Sequence, residues 1–239
     1  MKLVKSVRVS ASAVDSTAAL SALGVLQIVQ DGITEMMGRL NIDGVTVKKK
    51  YNALWAFTKN KTEIFKSIPW SDDLITVTSF ISVITRATIC VDVSVRDNGG
   101  DLCAYSRIEM CPLDISTMRI RKVESVGGTN EITAEPPENE ITFSRLEDAE
   151  YEKIDTVTVR STNIDMSQHT NNVEYMRFIF NTYPTERIKK TPIRSVEIKY
   201  INQTYENDVL DIYKSASESA DMFLIKSAGK DVLKCAVTF

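Results

Sequence analysis

The chain predicts an α+β fold built twice over. Three observations carry that prediction: a helical run of apolar residues leads into several strand-like runs, the same order of elements returns in the second half, and a stretch rich in glycine, proline and acidic residues lies between. A helix followed by four or five antiparallel strands describes a helix wrapped by a curved sheet, not a βαβ arrangement.

In the first half, the alternation of Val7, Val9 and Ala11 reads as a strand. Apolar residues then recur at helical intervals from about Thr17 to Leu40, through Leu20, Leu23, Val25, Ile28, Val29, Ile33, Met36 and Met37. Strands are expected at Ala53–Phe57, Thr62–Phe65, Leu74–Val83, Ala87–Arg96 and Leu102–Met110. The last two flank Asp97-Asn98-Gly99-Gly100-Asp101, a strong hairpin signal because tight turns need positive φ. Lys48-Lys49-Lys50 and Lys189-Lys190 read as solvated turns.

The second half repeats the order. Ile154–Thr162 is β-like, and Asn172–Tyr183 is helical through Val173, Met176, Ile179, Phe180 and Tyr183. Strands follow at Ile193–Tyr200, Val209–Lys214, Met222–Lys226 and Val232–Phe239, with the last turn at Ala228-Gly229-Lys230. Val7 through Thr17 align without gaps to Val157 through Ser167, so Val7, Val9 and Asp15 return as Val157, Val159 and Asp165. Ser125–Glu140 lacks periodicity and carries Gly127-Gly128 and Pro136-Pro137, an exposed linker by composition. The expected organisation is residues 1–124, a linker at 125–145, and residues 146–239.

With 239 residues, 43% hydrophobic and 26% charged, the chain has the composition of a globular protein able to bury a core. A net charge of −3 argues against nucleic acid as the partner. Cys90, Cys103, Cys111 and Cys235 show neither CxxC spacing nor pairing with histidine, which points to a reduced, cytoplasmic compartment and away from a zinc site. Neither a signal-peptide apolar core nor a run long enough to span a bilayer is evident. No metal or cofactor is implied, and a glycine-rich phosphate loop is missing.

The densest polar stretch is Asp165 to Tyr175, and it holds the chain's single histidine, His169. Asn171 is a good N-cap, with Glu174 three positions on as a capping box requires, and Asp165 and Ser167 suit the turn before a helix. The same residues suit a reaction. A helix starting near Asn172 aims free N–H groups and its positive end at the loop holding His169. An ester or thioester carbonyl there finds donors for a developing oxyanion. His169 serves as general base or polarises the carbonyl, with Asp165 fixing its tautomer. Two apolar helices suit an acyl chain better than a sugar or nucleotide.

Asp165-x-Ser167-x-His169-x-Asn171-Asn172-x-x-Tyr175 resembles the Asp-x-Asn-x-His-x-Asn-Asn-x-x-Tyr motif of the acyl-acyl carrier protein thioesterases, which are tandem hot-dog enzymes. Trp55-Ala56-Phe57-Thr58-Lys59, Pro69-Trp70-Ser71-x-Asp73 and Asp114-x-x-Thr117-x-Arg119 resemble the family's first-half pattern in the same order, so the resemblance runs from about Val7 to Phe239. It implies a double hot-dog that hydrolyses a fatty acyl thioester of acyl carrier protein. The reactive centre would lie in the second half, and the first half would contribute to the acyl pocket. Position 19, offset-equivalent to His169, is Ala19, so one half alone carries an imidazole.

Two departures stand out. Ser167 replaces the family's catalytic Asn, and Lys199-Tyr200-Ile201-Asn202-Gln203-Thr204 resembles a strand that ends Tyr-x-x-Glu-Cys in the family. Gln203 thus stands for the acid and Thr204 for the thiol; glutamine orients water but takes no proton. The resemblance leaves Asp165 and His169 as the acid–base pair, Ser167 beside them, and Asn171, Asn172, Gln203 and Thr204 in support. Arg119, Arg121, Lys122, Arg187, Lys189 and Lys190 are candidate contacts for an acidic carrier protein. Acyl-CoA hydrolysis and an acyl-binding module without turnover are the alternatives, and monomer and homodimer are both compatible with the sequence.

Overall fold

A computed structural model describes residues 1–71, 74–146, 149–216 and 220–239. Asp73 of the first-half pattern lies outside them. The chain is α+β and divides into two compact units, Met1–Thr142 and Phe143–Phe239.

The first unit runs β1 (Lys2–Arg8), α1 (Ala22–Arg39), α2 (Gly44–Tyr51), β2 (Ala53–Ile64), β3 (Leu74–Ile84), β4 (Ile89–Arg96) and β5 (Leu102–Asp114). Its strands pair antiparallel in the order β1-β3-β4-β5-β2. The second unit runs β6 (Glu152–Thr158), α3 (Asn172–Phe180), α4 (Thr185–Lys190), β7 (Ser195–Tyr200), β8 (Val209–Ala216), β9 (Asp221–Ser227) and β10 (Lys230–Thr238). Its antiparallel order, β6-β8-β9-β10-β7, is the first unit's order element for element. Lys2 to Glu152 and Ala22 to Asn172 are both steps of 150 positions, the offset of the sequence alignment.

Each core forms between helix and sheet. Val25, Val29, Ile33, Met36 and Met37 of α1 are buried in one cluster with Val77, Ile81, Val91 and Val93 of β3 and β4. In the second unit Val173, Met176 and Ile179 of α3 are buried, as are Val196, Ile212, Phe223, Leu233 and Cys235 of the strands. The spacing of these helical positions is the three-to-four-residue period that predicted the helices.

Several expectations change. The first helix starts at Ala22, five residues later than its apolar pattern, because Ser21 caps it by accepting the Gly24 N–H at 2.9 Å. Lys48–Lys50 lie in the last turn of α2, capped by Asp43, where their charge complements the helix dipole, and Lys189-Lys190 end α4 in the same way. The two short strands expected at Ala53–Phe57 and Thr62–Phe65 are one strand, β2, with a bulge between Phe57 and Lys59. The stretch 125–145 is largely fastened to the first unit. Val126 and Ile141 are buried, the Glu135 N–H donates to the Ile81 carbonyl at 2.9 Å, and Arg107 Nη1 donates to the Ile141 carbonyl at 2.8 Å. Its few apolar residues are anchors too sparse to show as a period.

Candidate active site

Residues 163–171 form a tight loop that leads from the edge strand β6 into α3. Ile164 bridges to Thr170, the Asp165 N–H donates to the His169 carbonyl at 3.0 Å, and the Gln168 N–H donates back to the Asp165 carbonyl at 3.0 Å. Closing so small a ring puts Gln168 at φ +71°, a left-handed conformation that costs a non-glycine residue energy. Asp165 holds the turn from inside by accepting the Ser167 N–H at 2.8 Å on Oδ1. Within the loop Asp165 and His169 are also joined through their backbones by the Asp165 N–H to His169 carbonyl bond.

Asn171 caps α3 as its position predicts, with Oδ1 accepting the Val173 N–H at 2.9 Å. The capping box is not completed. The Asn171 N–H already donates to the Asn163 carbonyl at 2.8 Å, and Glu174 instead accepts from Asn163 Nδ2 at 2.8 Å and from Arg177 Nε at 2.9 Å. The Asn172 N–H, first of the helix, has no partner among the described residues and lies beside the loop that ends in His169.

A second segment, residues 201–208, docks on this loop. The Thr170 N–H donates to the Thr204 carbonyl at 2.9 Å, and Thr204 Oγ1 lies 2.7 Å from Thr170 Oγ1 and 2.8 Å from the Tyr175 hydroxyl. All three side chains are buried, and burial pushes the Tyr175 phenol above its ordinary value. Thr204 therefore ties two segments together from inside, and its hydroxyl is enclosed, not presented as a nucleophile. Gln203 is half-buried, and its Oε1 is 3.5 Å from the hydroxyl of Tyr205. The Tyr205 ring stands edge-on to the His169 ring, with centroids 5.9 Å apart.

The structure thus brings Asp165, Ser167, His169, Asn171, Asn172, Gln203 and Thr204 into one neighbourhood. Sequence reasoning missed Tyr205, and it left Tyr175 as a motif letter with no task. The signal for Tyr205 was its place beside Gln203 and Thr204; nothing local in sequence pairs it with an imidazole. The four cysteines are buried, and desolvation pushes the Cys90 thiol up to about 11 and the Cys235 thiol higher still, so neither is an activated nucleophile. Among the described residues no group of three or more His, Cys, Asp or Glu is gathered as a metal site, and no helix is long and apolar enough to cross a membrane.

The fold is already represented among solved structures. The chain superposes on an acyl-ACP thioesterase from Bacteroides thetaiotaomicron with a TM-score of 0.88 at 19% identity, covering 100% of this chain and 97% of that one. It superposes on the 12:0-ACP thioesterase from Umbellularia californica with a TM-score of 0.86 at 18% identity, covering 99% and 96%. The family model described as Acyl-ACP thioesterase N-terminal domain matches residues 2–132, and that of the C-terminal domain matches residues 146–239. The chain belongs to the acyl-ACP thioesterase family. Its sequence is 21% identical over 193 residues to the chloroplastic oleoyl-acyl carrier protein thioesterase 2 of Arabidopsis thaliana, covering 76% of this chain and 52% of that one. The chain therefore spans about half the length of the curated relatives it matches.

Proposed function

We propose that this protein hydrolyses fatty acyl thioesters of acyl carrier protein to the free fatty acid, on a double hot-dog in which residues 146–239 supply the reacting groups and residues 1–124 shape the acyl pocket. One observation carries the reading: the same strand–loop–helix unit is built twice, and only the second copy has an imidazole, His169, beside the start of its helix. In the proposed reaction His169 removes a proton from water as the oxygen adds to the thioester carbonyl carbon. The carbonyl electron pair moves to oxygen, and the oxyanion is met by the N–H at the start of α3. The tetrahedral species collapses, the C–S bond breaks, and the imidazolium returns its proton to the leaving sulfur. Asp165 is the proposed acid–base partner of His169, and it also holds the turn by accepting the Ser167 N–H. Ser167 and Gln203 orient the water.

The test is release of free thiol from a panel of acyl carrier protein and CoA thioesters by the wild type and His169→Ala. Turnover lost with His169 supports the reading, and preference within the panel assigns the carrier. Turnover unaffected by the substitution removes His169 from the chemistry. An acyl-binding module without turnover is the second reading, and it draws on Ser167 and Gln203 standing where the family motif has an amide and an acid. Retained acyl binding with no thiol released from any thioester would establish it.

A further inference from the structure

We infer that Tyr205 is a positioning residue for His169: its ring packs against the imidazole and holds the orientation in which it reacts. This rests on the reading of His169 as the base. Four observations support it. The Tyr205 and His169 rings meet edge-on at 5.9 Å between centroids, a favoured aromatic geometry. Tyr205 is 52% exposed, so the ring is not there to fill a core.

Its backbone is nonetheless tightly fixed. The Tyr205 N–H donates to Asp208 Oδ2 at 2.8 Å, the Asp208 N–H returns to the Tyr205 carbonyl at 3.1 Å, and the preceding residue is Thr204 of the buried hydroxyl cluster. A ring carried on a backbone pinned at both sides is a rigid support, which is what orienting a catalytic group requires.

The fourth observation is the other copy. There the Leu20 N–H donates to the Ile68 carbonyl at 2.8 Å, as the Thr170 N–H donates to Thr204 at 2.9 Å in the second unit. Ile68 thus matches Thr204, and Pro69 matches Tyr205. In the first unit the facing pair is Ala19 and Pro69, joined by a backbone bridge. The copy without an imidazole has no aromatic ring at the facing position, and the copy with the imidazole has one.

The single histidine makes the test clean, because its imidazole C–H signals in an NMR spectrum belong to one residue. Tyr205→Ala is expected to shift those signals by removing the neighbouring ring current, and to lower kcat about tenfold with KM little changed, as loss of orientation does. Tyr205→Phe keeps the ring and is expected to restore both the shift and most of kcat. Thermal melting of each variant identifies one that has merely unfolded; for Tyr205→Ala, Tyr205→Leu, which also removes the ring, then supplies the same comparison. If His169→Ala abolishes turnover while Tyr205→Ala leaves kcat at its wild-type value, whatever the imidazole signals do, the inference about Tyr205 is overturned and the base assignment stands. If His169→Ala retains wild-type turnover, the base assignment itself fails, whatever Tyr205 does.

Discussion

The loop that opens the helix of the first unit and the loop that opens the helix of the second are the same construction with different contents. Asp15 accepts the Thr17 N–H at 2.8 Å as Asp165 accepts the Ser167 N–H at 2.8 Å. Ala18 at φ +56° matches Gln168 at +71°, and the bridge Val14–Leu20 matches Ile164–Thr170. The contents then part. In the first loop the Thr17 hydroxyl closes on Asp15 at 2.6 Å, Ala19 is buried, and Gly24 lets the helix approach the Ala13 carbonyl so closely that a Cβ would sit 2.4 Å from it. In the second, Ser167 is exposed, His169 is half-buried against Tyr205, and the positions of Ala13 and Gly24 hold Asn163 and Glu174, joined by a hydrogen bond. One geometry serves a packed corner in one place and a polar, partly open one in the other. The backbone of the loop is thus a structural solution, and any chemistry lies in the side chains set on it.

Substitutions at matched positions break or sharpen that comparison. His169→Ala is expected to lower kcat on acyl thioesters by about a thousandfold, roughly 4 kcal/mol of barrier, measured as thiol release. Replacing Ala19 with Ser, at the matched position, is expected to leave kcat unchanged. Gly24→Ala is expected to destabilise the first unit by about 2–3 kcal/mol through the clash with Ala13, seen in denaturant melts. A neutral result would show that the first loop has room to move.

Thr204→Val leaves the Thr170 and Tyr175 hydroxyls buried without their shared partner, a loss of about 1–3 kcal/mol. Ile68→Val, at the matched apolar position, is expected to cost only about 1 kcal/mol. Asp15→Ala and Asp165→Ala should each cost about 1 kcal/mol of stability by loosening equivalent turns. Only Asp165→Ala is expected to lower kcat as well; equal activity in both variants would confine Asp165 to folding. The smallest effect is expected from Ser167→Asn, which should keep or raise the rate. A fall of more than about tenfold, or roughly 1.4 kcal/mol, would give the serine a task of its own.

Much of this was legible because local chemistry specifies it. The Asp165 turn, the Asn171 cap and the hairpin at Asp97–Asp101 all depend on residues a few positions apart. Where local rules misled, a nearby partner had already taken the group in question. Glu174 had the right spacing for a capping box, but the N–H it would have accepted is held by the Asn163 carbonyl. The helical pattern from Thr17 was continuous in apolarity, yet the backbone of 17–21 is used to close the loop.

The sequence by itself determined the α+β class, the repetition at a fixed offset, and the placing of the single imidazole before a helix. Each of these is written in periodicity, turn residues and internal similarity, which act over a few bonds. Only the tertiary structure decided what that imidazole meets. The Thr170–Thr204 contact spans 34 positions, and Tyr205 reaches His169 because that contact fixes the backbone one residue before it. Such pairings are settled by which segments the folded sheet brings side by side, and no local pattern in the chain encodes them.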